Sequence, residues 1–154
     1  MIFIGNSRNV IRGGWEAFLI CAMFLLYAPP SLGAGRAIVS LSPGSGTFLV
    51  GSTFDVSIIL DTKGVSANTV EIELMFPADK IQIANPSVGQ SIIQLWPAPP
   101  VFSNREGKIY FVGGIPSPGF VSSQGIVLTL TFRVIGPGQG DIRFGSRTSV
   151  LAND

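Results

Sequence analysis

At 154 residues, with ten Lys and Arg against nine Asp and Glu, the chain is one domain's worth of sequence with almost no net charge. That balance supplies neither a basic field for nucleic acid nor an acidic tail. With no histidine and one cysteine, it offers no Ser-His triad, no Cys-His pair and no zinc set of the usual kind.

Residues 1–36 read as a leader and processing region. Arg8 and Arg12 precede an apolar run, Ala17 to Tyr27, and prolines and small residues follow in APPSLGAGRA. This is the order of a secretory signal peptide. The eleven-residue run falls short of the about 20 residues that span a bilayer; an uncleaved anchor is the competing reading. The mature chain is expected to start between Ala34 and Ile38 and to be secreted, extracellular or at the cell surface, with no membrane segment after cleavage. Cys21 lies inside the apolar run and goes with the leader, as do Arg8, Arg12 and Glu16, leaving eight basic and eight acidic residues. No disulfide is then available, so burial alone must hold the domain at 37–154 together. A chain of this size buries well over half of its unfolded surface, which suffices.

The domain alternates with period two almost throughout. AIVSLS (37–42) is a short first strand ended by PGSG, and STFDVSIILD (52–61) sets Phe54, Val56, Ile58 and Leu60 against Asp55, Ser57 and Ile59. After a turn at TKGVSA, NTVEIELMFP (68–77) alternates cleanly, with Val70, Ile72, Leu74 and Phe76 on one side and Thr69, Glu71, Glu73 and Met75 on the other. KIQIAN (80–85), SIIQLW (91–96), GKIYFVGG (107–114) and GIVLTLTFRV (125–134) follow, and GDIRFG (140–145) and TSVLAN (148–153) close the chain. About nine strands bounded by Gly, Pro, Asn or Ser predict an all-β sandwich or jelly roll. No stretch after residue 36 has a helical period.

Little in this pattern suggests catalysis. The glycines of GPGQGD (136–141) are spaced two apart with no helix after them, so the segment reads as a β-turn connection. Glu71 and Glu73 share a strand face at about 6.6–6.8 Å, near the carboxylate spacing of an inverting glycosidase. Glycosidase carboxylates flank their substrate from opposite sides of a cleft, however, and these stand side by side. Asp61, Glu71, Glu73, Asp79 and Asp141 are scattered and form no calcium-loop pattern, which leaves at most a structural calcium at a loop. Trp96 runs into PAPPVF, which holds Phe102, and Phe120 sits in PSPGF. Aromatics on rigid Pro-rich loops can stack on sugar rings; the competing role for Trp96 and Phe102 is to cap the open end of the sandwich. Tyr110 is expected to face outward, because Ile109 and Phe111 form the inward pair.

From about Ala37 to Asp154 the chain resembles a cohesin domain, the module with which cellulosome scaffold proteins hold dockerin-bearing partners. The resemblance rests on AIVSLSP, then GSTFDVSIIL, the corner VEIELMFPADKIQI, the long late strand GIVLTLTFRV and the ending GDIRFGSRTSVLAND, in that order. It implies a nine-stranded jelly-roll sandwich whose third, fifth, sixth and eighth strands (69–76, 91–96, 108–113 and 140–144) form a flat sheet that receives the dockerin. The outward, partner-binding residues would be Thr69, Glu71 and Glu73, then Lys108, Tyr110 and Val112, then Asp141 and Arg143, with the register of the fifth strand open. Such a mixture of charges, an aromatic and an aliphatic suits protein recognition. Many cohesins carry Asn and Asp where this chain has Thr69 and Glu71. Glu71 keeps the charge, whereas Thr69 keeps only a hydroxyl, which implies a partner outside the familiar cellulosome specificity, or none of the dockerin type at all.

The expected function is thus a secreted, non-enzymatic adaptor in polysaccharide degradation or cell-surface assembly, possessing no cofactor or metal of its own, any calcium being held by the partner dockerin. The chain is read as a module that a longer protein could carry. The alternative is a carbohydrate-binding module that holds glycan through Trp96, Phe102 or Phe120, with Tyr110 as a further aromatic; a structural spacer is a third reading.

Overall fold

The computed structural model describes residues 36–152; the leader expected at 1–36 lies outside the described residues apart from Arg36. The described residues form nine strands: β1 (Ile38–Ser42), β2 (Thr53–Asp61), β3 (Ala67–Met75), β4 (Ile81–Ser87), β5 (Leu95–Ser103), β6 (Lys108–Gly114), β7 (Gly125–Val134), β8 (Arg143–Phe144) and β9 (Ser149–Ala152). No helix occurs among the described residues. One sheet has the order β1-β2-β7-β4 and the other β5-β6-β3-β8, with β9 also paired to β3. All pairings are antiparallel.

The alternation in the sequence produces the two-layer core directly. In β2, Val56, Ile58 and Leu60 are buried; in β3, Val70, Ile72 and Leu74; in β6, Ile109 and Phe111; in β7, Leu128, Leu130 and Phe132. Strand side chains alternate faces, so each strand delivers these residues to the same interior. Burying each large aliphatic side chain contributes about 1.5–3 kcal/mol, which stands in for the missing disulfides. Phe132 joins the layers, meeting the Phe76 ring edge-on at 5.4 Å and the Phe54 ring at 5.6 Å.

β7 carries a bulge. Ile58 pairs with Leu128 and Ile59 with Ile126, so Val127 is the extra residue, buried beside Leu128. The Ser91 hydroxyl donates to the Val127 carbonyl at 2.5 Å, satisfying an acceptor at the bulge.

Two strands depart from the sequence reading. The fifth was expected at 91–96, but β5 runs from Leu95 to Ser103. The residues SIIQ instead cross from one sheet to the other. Ile92 N–H donates to Ile126 O in the β7 sheet at 2.8 Å, and Gln94 N–H donates to Gly114 O in the β6 sheet at 3.1 Å. Pro97, Pro99 and Pro100, which argue for a loop, are accommodated because β5 is the outermost strand of its sheet and pairs through two bulges. The eighth strand, expected over 140–145, is reduced to Arg143–Phe144: β3 ends at Met75, so residues 140–142 have no β3 partner, and beyond Gly145 β9 takes over the rest of the β3 edge.

Candidate docking face

The β5-β6-β3-β8/β9 sheet turns one face to the core and one outward, and the pairing registers set out the outward residues in rows. Lys108, Met75 and Arg143 form one row across β6, β3 and β8. Val101, Tyr110 and Glu73 form the next, from β5 to β3. Ala98, Val112, Glu71 and Ser149 form the third, and Leu95, Gly114, Thr69 and Leu151 the fourth. The alternation expected for Thr69, Glu71, Glu73, Lys108, Tyr110 and Val112 therefore holds, with Lys108 exposed and the others half-buried. Arg143 joins them from β8 and is exposed.

Asp141 does not. It precedes β8 and lines a groove of about 630 Å3 at one end of the sandwich, together with Phe48, Phe54, Lys80 and Gln139. β3 ends at Met75, and the antiparallel register would set Asp141 beyond it, opposite Pro77, so Asp141 has no place in the rows.

The centre of the face is a knot of four side chains. Tyr110 Oη donates to Glu71 Oε1 at 2.8 Å, diagonally across the β6–β3 pair. The guanidinium of Arg147 lies 3.9 Å above the Tyr110 ring centroid, and its Nε is 3.5 Å from Glu73 Oε1. A cation–π contact at such a site contributes about 0.5–1 kcal/mol, and an ion pair between partly exposed groups about 0.2–1 kcal/mol.

Glu73 also anchors the turn that carries Arg147. Its carbonyl accepts from Gly145 N–H at 2.8 Å and from the Thr148 hydroxyl at 3.0 Å. Gly145 lies so close to the Glu73 carboxyl group that a Cβ there would collide with it. Glu73 is consequently covered, its side chain only 20% exposed, whereas that of Arg147 is 55% exposed. The hydrogen bond to Glu71 raises the Tyr110 phenol above its ordinary value; desolvation and the Glu71 charge act in the same direction, and Arg147 opposes them.

Sequence reasoning missed two parts of this face. Arg147 reaches the centre from the turn between β8 and β9, and nothing local in GSRTS signals that its side chain crosses Glu73. Leu95 and Val101, 57% and 69% exposed, form an apolar flank on β5. Their shared outward face could have been read from the large aliphatics bracketing PAPP, had that stretch been taken as a bulged edge strand.

Apart from Tyr110, the aromatics considered for glycan lie elsewhere. The Trp96 ring packs edge-on against the buried Phe111 at 5.7 Å. Phe120 is half-buried against the core, its backbone exchanging two hydrogen bonds with Ala67 at 2.8 and 3.0 Å. Phe102 sits opposite the inward-facing Ile109 at the sheet edge and is partly exposed. Among the described residues, no group of three or more His, Cys, Asp and Glu side chains comes together in a way that could hold a metal ion.

No protein-family model matches the sequence, and no curated protein matches it at a significant level. Several solved structures match the fold. A cohesin from Clostridium thermocellum, solved in a type I cohesin–dockerin complex, aligns with a TM-score of 0.60 at 13% identity, over 77% of this chain and 88% of that one. The sixth cohesin of scaffoldin B from Acetivibrio cellulolyticus, in complex with a Cel5 dockerin variant, aligns at 0.58 and 15% identity over 77% and 87%. The seventh ScaB type I cohesin from Pseudobacteroides cellulosolvens aligns at 0.56 and 23% identity over 74% and 76%. The nine-stranded sandwich of this chain is a cohesin-like fold.

Proposed function

We propose that the protein is a secreted docking module, not an enzyme, whose β5-β6-β3-β8/β9 face receives a calcium-loaded dockerin. The observation that carries this reading is the face itself, an open sheet with exposed Leu95, Val101 and Leu151 around the Glu71–Tyr110–Arg147 knot. Apolar anchors beside a few fixed polar groups are what a protein interface uses. Cohesins of the same fold that were solved with dockerins support the choice of partner. Calcium belongs to the dockerin in this scheme, and the recruited partner would act in polysaccharide breakdown or cell-surface assembly. The glycan alternative is less well supported, since Trp96 and Phe120 are packed against the core.

Titration calorimetry of the purified protein against a panel of calcium-loaded dockerins, with soluble and insoluble polysaccharides alongside, tests the reading. Glu71→Lys is expected to abolish dockerin binding with the fold retained by circular dichroism, and Trp96→Ala to leave binding intact wherever the variant folds. Undiminished binding by Glu71→Lys would show that the face is wrongly assigned. Binding of polysaccharide alone would favour the carbohydrate-binding alternative.

A further inference from the structure

Two adjacent carboxylates on the central strand of a docking face would, taken alone, call for a cationic partner. Here both are occupied from within the chain. Tyr110 donates to Glu71, and Arg147 pairs with Glu73 through Nε and approaches its other carboxyl oxygen with the backbone N–H at 3.5 Å. Arg147 thereby supplies the cation in cis, while its side chain remains more than half exposed.

Arg143 stands exposed in the neighbouring row and forms no ion pair among the described residues. Lys108, the third cation of the face, is already paired with Glu106 at 2.5 Å. What the β8 side offers a partner is therefore a pair of guanidinium groups, and the β5 side offers Leu95 and Val101.

Resting on the docking reading, we propose that Arg147 is a specificity-determining residue and that the partner segment is an amphipathic helix with an aliphatic stripe and a carboxylate flank. The helix would lie along β6 and β3, its aliphatic side chains on Leu95 and Val101 and its carboxylates on Arg147 and Arg143. The dimensions match this arrangement. β5 and β8 are three strand spacings apart, about 14 Å, which admits a helix about 10–12 Å wide. The rows of Arg143 and Arg147 are about 7 Å apart along the strand, near the about 6 Å rise between helix positions i and i+4. Guanidinium favours a planar, bidentate carboxylate partner, and a lysine set against Arg147 would bring like charges together.

The test uses the same calcium-loaded dockerins, each also prepared with the exposed Asp and Glu of its recognition helix changed to Lys. The wild-type protein is expected to bind the acidic form at least about tenfold tighter than the Lys form. Arg147→Glu is expected to reverse that order. Arg143→Glu, which lies outside the knot, is expected to shift it in the same direction by less, and serves if Arg147→Glu does not fold. Binding that is indifferent to the swap, or that favours the Lys form in the wild-type protein, overturns the inference while leaving the docking reading in place. Binding of no dockerin by any of these proteins overturns the docking reading and the inference with it.

Discussion

At the residue scale, the exposed face differs from a merely solvated sheet in having its polar groups organised. Glu71, Tyr110, Arg147 and Glu73 hold one another through a hydrogen bond, a cation–π contact and an ion pair. The Tyr110 phenol reports on this organisation, because its proton is what Glu71 accepts. The folded protein binds that proton more tightly than the unfolded chain does. The associated stability is thus fully present below the ordinary phenol value of about 10 and is lost as pH rises through the raised folded value. A spectrophotometric titration, taken as the difference between the wild-type protein and Tyr110→Phe, is expected to show a midpoint above about 10. Glu71→Gln is expected to bring the midpoint down. A midpoint at the ordinary value in the wild-type protein would mean that the knot does not form in solution.

At the element scale, β5 decides both how the face is bounded and how well the sequence reveals it. Pro97, Pro99 and Pro100 remove backbone donors from an outermost strand, which blunts its capacity to pair with another sheet. Replacing all three with Thr is expected to restore those donors and increase self-association in sedimentation velocity at equal concentration. The same change is expected to lower stability to urea by up to about 1 kcal/mol per proline, since the unfolded chain gains freedom. Unchanged sedimentation would show that the prolines do not protect the edge. The prolines also explain why this strand starts four residues and ends seven residues later than its sequence suggests, while β2, β3, β6 and β7 are legible. Those four strands are buried on one face, so period two is imposed on every residue. β5 is bulged twice and lies at an edge, where alternation is relaxed. β8 was overextended for a related reason. GDIRFG alternates as a strand would, but β3 ends at Met75, opposite Arg143, and residues 140–142 find no partner there.

At the scale of the whole molecule, the two outward faces of the sandwich differ in kind. Across β1, β2, β7 and β4 runs a row of hydroxyls, Ser42, Ser57, Thr129 and Ser87. Polar groups on that face bond to each other, as Ser57 with Thr129 at 2.9 Å and Thr131 with Asp55 at 2.6 Å. The opposite face places exposed leucine and valine beside a charged knot, the arrangement that desolvation by a partner rewards. The sandwich, its core and the outward set on β3 and β6 could be read from alternation. The rows could not, because they depend on pairing between segments distant in sequence, and Arg147 enters them from a turn. The most direct test is to map backbone amide chemical shifts of the isotope-labelled protein while a binding dockerin is added. Shifts concentrated at Leu95, Val101, Tyr110, Val112, Glu71 and Arg147 are the expected result. Shifts centred on the Ser42–Ser57–Thr129–Ser87 face, or on the groove at Phe48 and Asp141, would contradict the assignment of the docking face.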